Sequence, residues 1–113
     1  MNFYDKAHEL VRAFKETGEY KNYMELKSKI KLQPEIAEKL KDFKVKQQEA
    51  QMGYINTGKV NEEAQKALEN IYSVLIQNEE TRKFFEAEIR LDVLLADMQK
   101  IIGEGIKEMI DFD

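Results

Sequence analysis

The residues that could do chemistry begin with a single histidine. His8 is the only histidine in the chain, and there is no cysteine. Thiolate zinc sites, cysteine-ligated iron–sulfur clusters and cysteine nucleophiles are therefore excluded. His8 and Glu9 are neighbours in the sequence, so on a helix their side chains point in different directions. We interpret His8 as a surface or boundary residue rather than a metal ligand or a general base.

Four carboxylates follow one another between residues 86 and 97. They are Glu86, Glu88, Asp92 and Asp97. Glu88 and Asp92 are four residues apart and share one face of a helix, as ligands of a dinuclear metal site in a bundle would. Such a site also takes histidines from Glu-x-x-His pairs on two helices, which one histidine cannot supply. We expect no metal and no other cofactor.

Motifs for nucleophilic attack or phosphate binding are also missing. Ser28 and Ser73 do not lie in the glycine-flanked turn that a serine nucleophile needs. The sequence NTGK at 56–59 lacks the remainder of a phosphate-binding loop. The sequence therefore predicts a protein that is not an enzyme.

The elements that would position any site are helices. Apolar residues recur at intervals of three and four, and no stretch alternates as a half-buried strand does. The first helix is predicted over 2–17, capped by Asn2 and ended by Gly18 as a left-handed C-cap. The second covers about 19–31, and Pro34 marks the start of the third.

The second half of the chain continues the pattern. The third helix carries a seam with spacings of four and three and ends at Gly58, again a left-handed cap. Asn61 caps the fourth helix, whose apolar stripe is Ala64, Leu68, Ile71 and Leu75. Asn78 either ends the fourth helix or caps the fifth, which covers about 80–102. Gly103 and Gly105 are expected to loosen the chain before a short amphipathic tail.

The fifth helix has more apolar surface than one neighbouring helix can cover. Its apolar residues spread around more of the helix than one neighbour covers, so it is either central in its bundle or half covered by its own domain and half by another subunit. Glu88 lies among the apolar residues Phe84, Leu91 and Leu95 on this helix. A charge in that position needs a cation from another helix or subunit. The residues predicted to mediate self-association are Phe84, Phe85, Glu88, Leu91, Leu95 and Met98.

The length and the net charge of the chain bear on its domain organisation and on its binding partners. With 113 residues the chain is predicted to be a single all-helical domain, 1–113. Its net charge of −4 argues against a general polyanion binder. Residues 21–46 nevertheless contain eight lysines and four acids. This lysine-rich segment is typical of a solvated helix face; the alternative is contact with RNA or an acidic partner through Lys39, Lys41, Lys44 and Lys46.

Targeting signals are not apparent. The N-terminal segment has no apolar core of signal-peptide length, and no later apolar run is long enough to span a membrane. We expect a cytoplasmic protein without membrane association.

Three segments resemble one known family. They are N-F-Y-D-x-A-x-x-L near the start, T-G-K-V-N-E-E in the middle, and F-E-A-E-I-R-L-D-V-L-L-A-D-M-Q-K-I-I later. These segments, which follow one another in order along nearly the full chain, resemble those of the YlbF/YmcA family of small bacterial proteins. They are most similar to its YheA-like branch. The resemblance implies an all-helical fold that forms dimers.

The same resemblance implies a regulatory role without an active site. Better-known members join a complex that influences competence, sporulation and biofilm formation, and they are implicated in RNase Y-dependent RNA maturation. Some bind iron–sulfur clusters through cysteines, a property that this chain, having none, does not share. The sequence thus predicts a bundle of about five helices that is homodimeric and works as a protein–protein interaction module. RNA contact through residues 21–46 is the alternative.

Overall fold

Six helices make up the part of the chain that the computed structural model describes, residues 2–112. They are α1 (Phe3–Lys15), α2 (Gly18–Lys31), α3 (Pro34–Thr57), α4 (Glu62–Leu75), α5 (Glu79–Gly105) and α6 (Lys107–Ile110). No strand occurs within those residues. The predicted all-α class with a long C-terminal helix is confirmed, and α6 adds one turn within the predicted tail.

Side-chain caps define where four of these helices start. Asn2 Oδ1 accepts the N–H of Asp5 at 2.9 Å, as predicted for the first helix. Asn78 Oδ1 accepts the N–H of Thr81 at 3.0 Å, so Asn78 caps α5 rather than ending α4. The other two capping residues are Thr17 and Asn61. Each cap satisfies a backbone donor that the first helical turn leaves without an intrahelical acceptor.

Of three glycines predicted to end a helix or to loosen the chain, one has its predicted role and two are part of helices. Gly58 follows α3 with φ of 71°, which confirms the predicted left-handed cap. The prediction for Gly18 is wrong: α1 ends at the right-handed Glu16, Thr17 caps α2, and Gly18 is the first residue of α2. Gly103 does not loosen the chain either, because α5 continues through it to Gly105. A long packed helix tolerates interior glycine at a cost of only about 1 kcal/mol.

The backbone divides into two compact units, and the division falls inside α2 and α5. One unit, Leu26–Phe84, contains the α3–α4 hairpin, the most extensive helix–helix packing in the described residues. Its fully or nearly buried side chains are Leu26, Ile30, Phe43, Leu75, Thr81 and Phe84. The predicted stripe of α4 is confirmed, since its members are the buried or half-buried residues of that helix.

The other unit consists of Met1–Glu25 and Phe85–Asp113. Its well-buried side chains are Phe85 and Ala87. The rings of Phe14 and Tyr20 meet edge to face, 5.8 Å apart, across the turn between α1 and α2. Within residues 2–112, none of the helices is long and apolar enough to cross a bilayer. The single-domain assignment stays a prediction.

Candidate interaction surfaces

The apolar face of α1 is exposed to solvent along most of its length, and Phe14 at its C-terminal end is half-buried. Phe3, Leu10 and Phe14 share this face at helical spacing, and α1 contains no buried residue. Phe3 and Tyr4 are 78% and 71% exposed. An amphipathic helix normally turns its apolar side to a core, which lowers the free energy by about 25 cal/mol for each Å² covered. We define the α1 face as Phe3, Tyr4, Ala7, Leu10, Val11 and Phe14.

An open groove runs between α1 and the C-terminal half of α5. It encloses about 300 Å³. Its walls are Leu10, Ala13, Phe14 and Thr17 from α1, and Leu94, Asp97, Met98, Ile101 and Ile102 from α5. Asp97 is the one charged side chain in this lining, and Ile101 is 71% exposed. The groove thus extends the α1 face onto α5.

The predicted self-association residues differ in how far they reach the surface. Phe84 and Phe85 are 3% and 7% exposed within the single chain, so they offer little surface to a partner. Leu91 and Met98 are half-buried, whereas Leu95 is exposed. Exposed apolar residues of α5 that sequence reasoning left out of the set are Ile89, Val93, Ile101 and Ile102. The exposed apolar surface predicted for α5 is therefore present, but part of it lies on residues outside the predicted set.

Glu88 is half-buried and lies near Tyr23 of α2. Burial raises the pKa of the Tyr23 hydroxyl, and the negative charges of Glu88 and Asp92 raise it further. The neutral phenol is therefore favoured beside these carboxylates. Among the described residues no group of three or more His, Asp or Glu side chains is placed to hold a metal ion.

The lysines predicted for RNA contact do not form one patch. Lys39 and Lys46 are seven residues apart on the side of α3 that faces α4, where they line two separate grooves. Lys41 and Lys44 are three residues apart and, at about 100° per residue, fall on a different side of the helix. Lys46 also forms an ion pair with Asp42 at 3.0 Å.

Another groove, of about 660 Å³, lies between α3 and α4. Buried Phe43 lies at its floor, and its ring is 6.0 Å from that of Tyr72. Neutral polar side chains dominate the edge: Gln47, Gln51, Asn61 and Gln65. Glu69 is the single charged residue of this lining.

A chain of amide hydrogen bonds, which sequence reasoning missed, joins the start of α3 to the start of α5. Asn78 Nδ2 donates to Gln33 Oε1 at 3.0 Å, and Gln33 Nε2 donates to Glu80 Oε2 at 2.9 Å. The hydroxyl of fully buried Thr81 donates to Asn78 Oδ1 at 3.2 Å. No local pattern predicts a contact between residues this far apart, although capping the fifth helix was one of the two roles predicted for Asn78.

Comparison with known proteins gives one consistent result. The family model described as control of the competence regulator ComK, YlbF/YmcA, matches residues 3–107. The chain is 39% identical to a UPF0342 protein of Symbiobacterium thermophilum over 109 residues, which cover 96% of this chain and 97% of that protein.

Two further UPF0342 relatives show the same coverage. A protein of Halothermothrix orenii is 36% identical over 107 residues, covering 95% of this chain and 91% of the relative. One of Clostridium tetani is 34% identical over 113 residues, covering 100% and 97%. The similarity therefore extends through both compact units rather than one motif.

Proposed function

We propose that this chain, which belongs to the YlbF/YmcA family, is a non-enzymatic helical module of the bacterial cytoplasm that self-associates and binds a protein partner. The observation that carries the proposal is the exposed α1 face. Five of its six apolar side chains are exposed within the chain, and the sixth, Phe14, is half-buried beside Tyr20. A contiguous apolar surface of this kind marks an interaction site.

The role of the module is regulatory in this proposal. The family model's description connects the family with control of a competence regulator. Sporulation, biofilm formation and RNA maturation are further processes that the resemblance implies. Membership of the YheA-like branch stays a prediction.

The self-association surface combines residues from α1 and α5. Leu91, Leu95 and Met98 of the predicted set have accessible surface and are retained, together with Glu88. Phe84 and Phe85, which are buried, contribute by holding α5 in place. The α1 face supplies most of the apolar area.

The mass of the protein in solution tests this proposal. Light scattering of the unmodified chain should give a dimer, and Phe3→Glu should give a monomer. Phe3 is the first residue of α1, where a carboxylate suits the helix dipole, so the substitution spares the helix itself. Ile55→Glu on α3 is the matched control, because Ile55 is also apolar and 65% exposed. Ile55→Glu should remain dimeric.

Two outcomes would contradict the proposal. A monomeric mass for the unmodified chain at every concentration would exclude self-association. A dimeric Phe3→Glu would place the interface away from the α1 face. Circular dichroism of each variant separates loss of association from loss of fold.

RNA contact through the lysine-rich segment is the alternative function. The geometry supports it less, because the four lysines lie on different sides of α3 and Lys46 is paired with Asp42. Four phosphate contacts would make log K fall with log salt with a slope of about −3 on single strands. Binding of single-stranded RNA with that slope, abolished by reversing the charge of Lys39, Lys41, Lys44 and Lys46, would favour the alternative.

Capture of partners separates the two functions in the cell. A tagged chain would be recovered from its host's lysate, with one half treated with nuclease, and both halves read by mass spectrometry. A protein that persists after nuclease treatment supports the interaction module. Partners that disappear with the RNA support the alternative.

A further inference from the structure

We infer that the α1 helix of a second copy lies antiparallel to α1, so that a two-fold axis passes between Ala7 and Leu10. This inference rests on the proposed self-association and specifies its geometry. The apolar spacing of α1 carries it. Phe3, Ala7, Leu10 and Phe14 follow one another at four, three and four residues, the spacing of a helix–helix seam.

In the antiparallel arrangement this seam matches itself. Phe3 of one copy lies beside Phe14 of the other, and Ala7 lies beside Leu10. A small residue therefore opposes a large one near the axis, which lets the helices approach, and aromatic rings close both ends. Tyr4 and Val11 flank the seam on the same side of α1, and antiparallel pairing brings Tyr4 next to Val11 of the second copy.

The dipole of α1 favours the same orientation. Asp5 and Arg12 lie on the side of α1 opposite the seam, so these charges do not meet across it. Antiparallel helices place the positive N-terminal end of each α1 dipole beside the negative C-terminal end of the other. A parallel pair would align the two helix dipoles, which is less favourable.

The area available agrees with a stable dimer. Phe3 and Tyr4, 78% and 71% exposed, each leave on the order of 150 Å² in solvent. Exposed Ile101 and Ile102 extend the surface along the α1–α5 groove. Two copies together then approach the roughly 1,200 Å² at which specific interfaces begin. The second copy's α1 thus covers the α1 face and reaches the edge of the groove.

Distances between spin labels test the orientation. The chain has no cysteine, so His8→Cys and Lys15→Cys each introduce a single attachment site. Both positions are exposed and lie seven residues apart on the same side of α1. Antiparallel pairing offsets the two copies of residue 8 by about 1.5 Å along the axis and those of residue 15 by about 20 Å. The label pair at residue 15 should therefore be about 10 Å farther apart.

Each result has a defined meaning. A dimeric mass with the longer distance at residue 15 supports the antiparallel pair. A dimeric mass with equal distances at both sites indicates parallel helices and overturns it. A dimeric mass with no measurable distance at either site places α1 away from the interface and also overturns it, while self-association survives. A monomeric mass overturns the proposed self-association and this inference together.

Discussion

Asn78 and Gln33, 45 residues apart in the sequence, are joined by a 3.0 Å hydrogen bond between their side-chain amides. Asn78 at the same time caps α5 through its Oδ1 atom. One side chain therefore starts a helix and ties that start to the turn before α3. Because the carboxamide has both a donor and an acceptor, asparagine can perform both tasks, whereas an ionised aspartate could accept in the cap but could not donate to Gln33.

Asn78→Ala should lower the free energy of unfolding by about 1–2 kcal/mol, because it removes both the cap and the bridge to Gln33. Asn78→Asp keeps an acceptor for the cap but loses the donor, so its loss should be smaller. Urea unfolding followed by circular dichroism measures both. Equal stability of the alanine variant and the unmodified chain would show that neither the cap nor the bridge contributes to stability.

Local features of the fold could be predicted from the sequence. Asn2 and Asn61 were recognised as caps, and Gly58 as a left-handed helix end, because each effect depends on residues within one turn. Gly18 was assigned wrongly for the same local reason. Glycine is frequent at helix ends, but the nearby Thr17 hydroxyl provides an N-cap and makes Gly18 the first residue of α2.

Features that depend on distant parts of the chain could not be predicted. The amphipathic pattern of α1 was visible in the sequence, yet nothing in it indicated that this face is left exposed. Leu26 of α2 is only 7% exposed, and a helix on its own cannot bury a side chain to that extent, so its burial depends on parts of the chain outside α2. The self-association surface was assigned to α5 alone since only packing reveals that α1 is uncovered.

Gly53 inside α3 and Gly58 directly after α3 give opposite predictions for substitution by alanine. Gly53 lies inside α3 with open space where a Cβ would be, so Gly53→Ala should stabilise the protein by about 0.5–1 kcal/mol. Gly58 has φ of 71°, so Gly58→Ala should destabilise it by about 1 kcal/mol despite equally open space. Thermal unfolding of the two variants should shift in opposite directions; a shift in the same direction would contradict the argument.

A buried leucine provides a test of the core in the Leu26–Phe84 unit. Leu75 is 0% exposed, and Leu75→Ala should cost about 2–5 kcal/mol because the transfer energy is lost and a cavity remains. Leu32 is 82% exposed, and Leu32→Ala should change the stability by less than about 0.5 kcal/mol. Chemical denaturation compares the pair. Similar losses for both would show that the difference in burial does not control stability.

The burial of Tyr23 and the nearby charges of Glu88 and Asp92 predict how stability depends on pH. Burial and then the two carboxylates raise the pKa of Tyr23 above its ordinary value of about 10. The folded chain therefore holds the phenolic proton more tightly than the unfolded chain. The stability that this provides is complete below about pH 10 and is lost as the pH rises through the folded-state pKa of Tyr23.

Glu88→Gln should lower the pKa of Tyr23 towards the ordinary value, because it removes the carboxylate with the larger effect while keeping the side chain's size. Nuclear magnetic resonance of tyrosine labelled at the ring measures this pKa, and Tyr23→Phe assigns the signal among the five tyrosines. Asp92→Asn should lower it by a smaller amount. Glu35→Gln lies on another helix and serves as the matched control, with no change expected. An unchanged Tyr23 pKa in Glu88→Gln would show that the Glu88 carboxylate does not contribute to the shift.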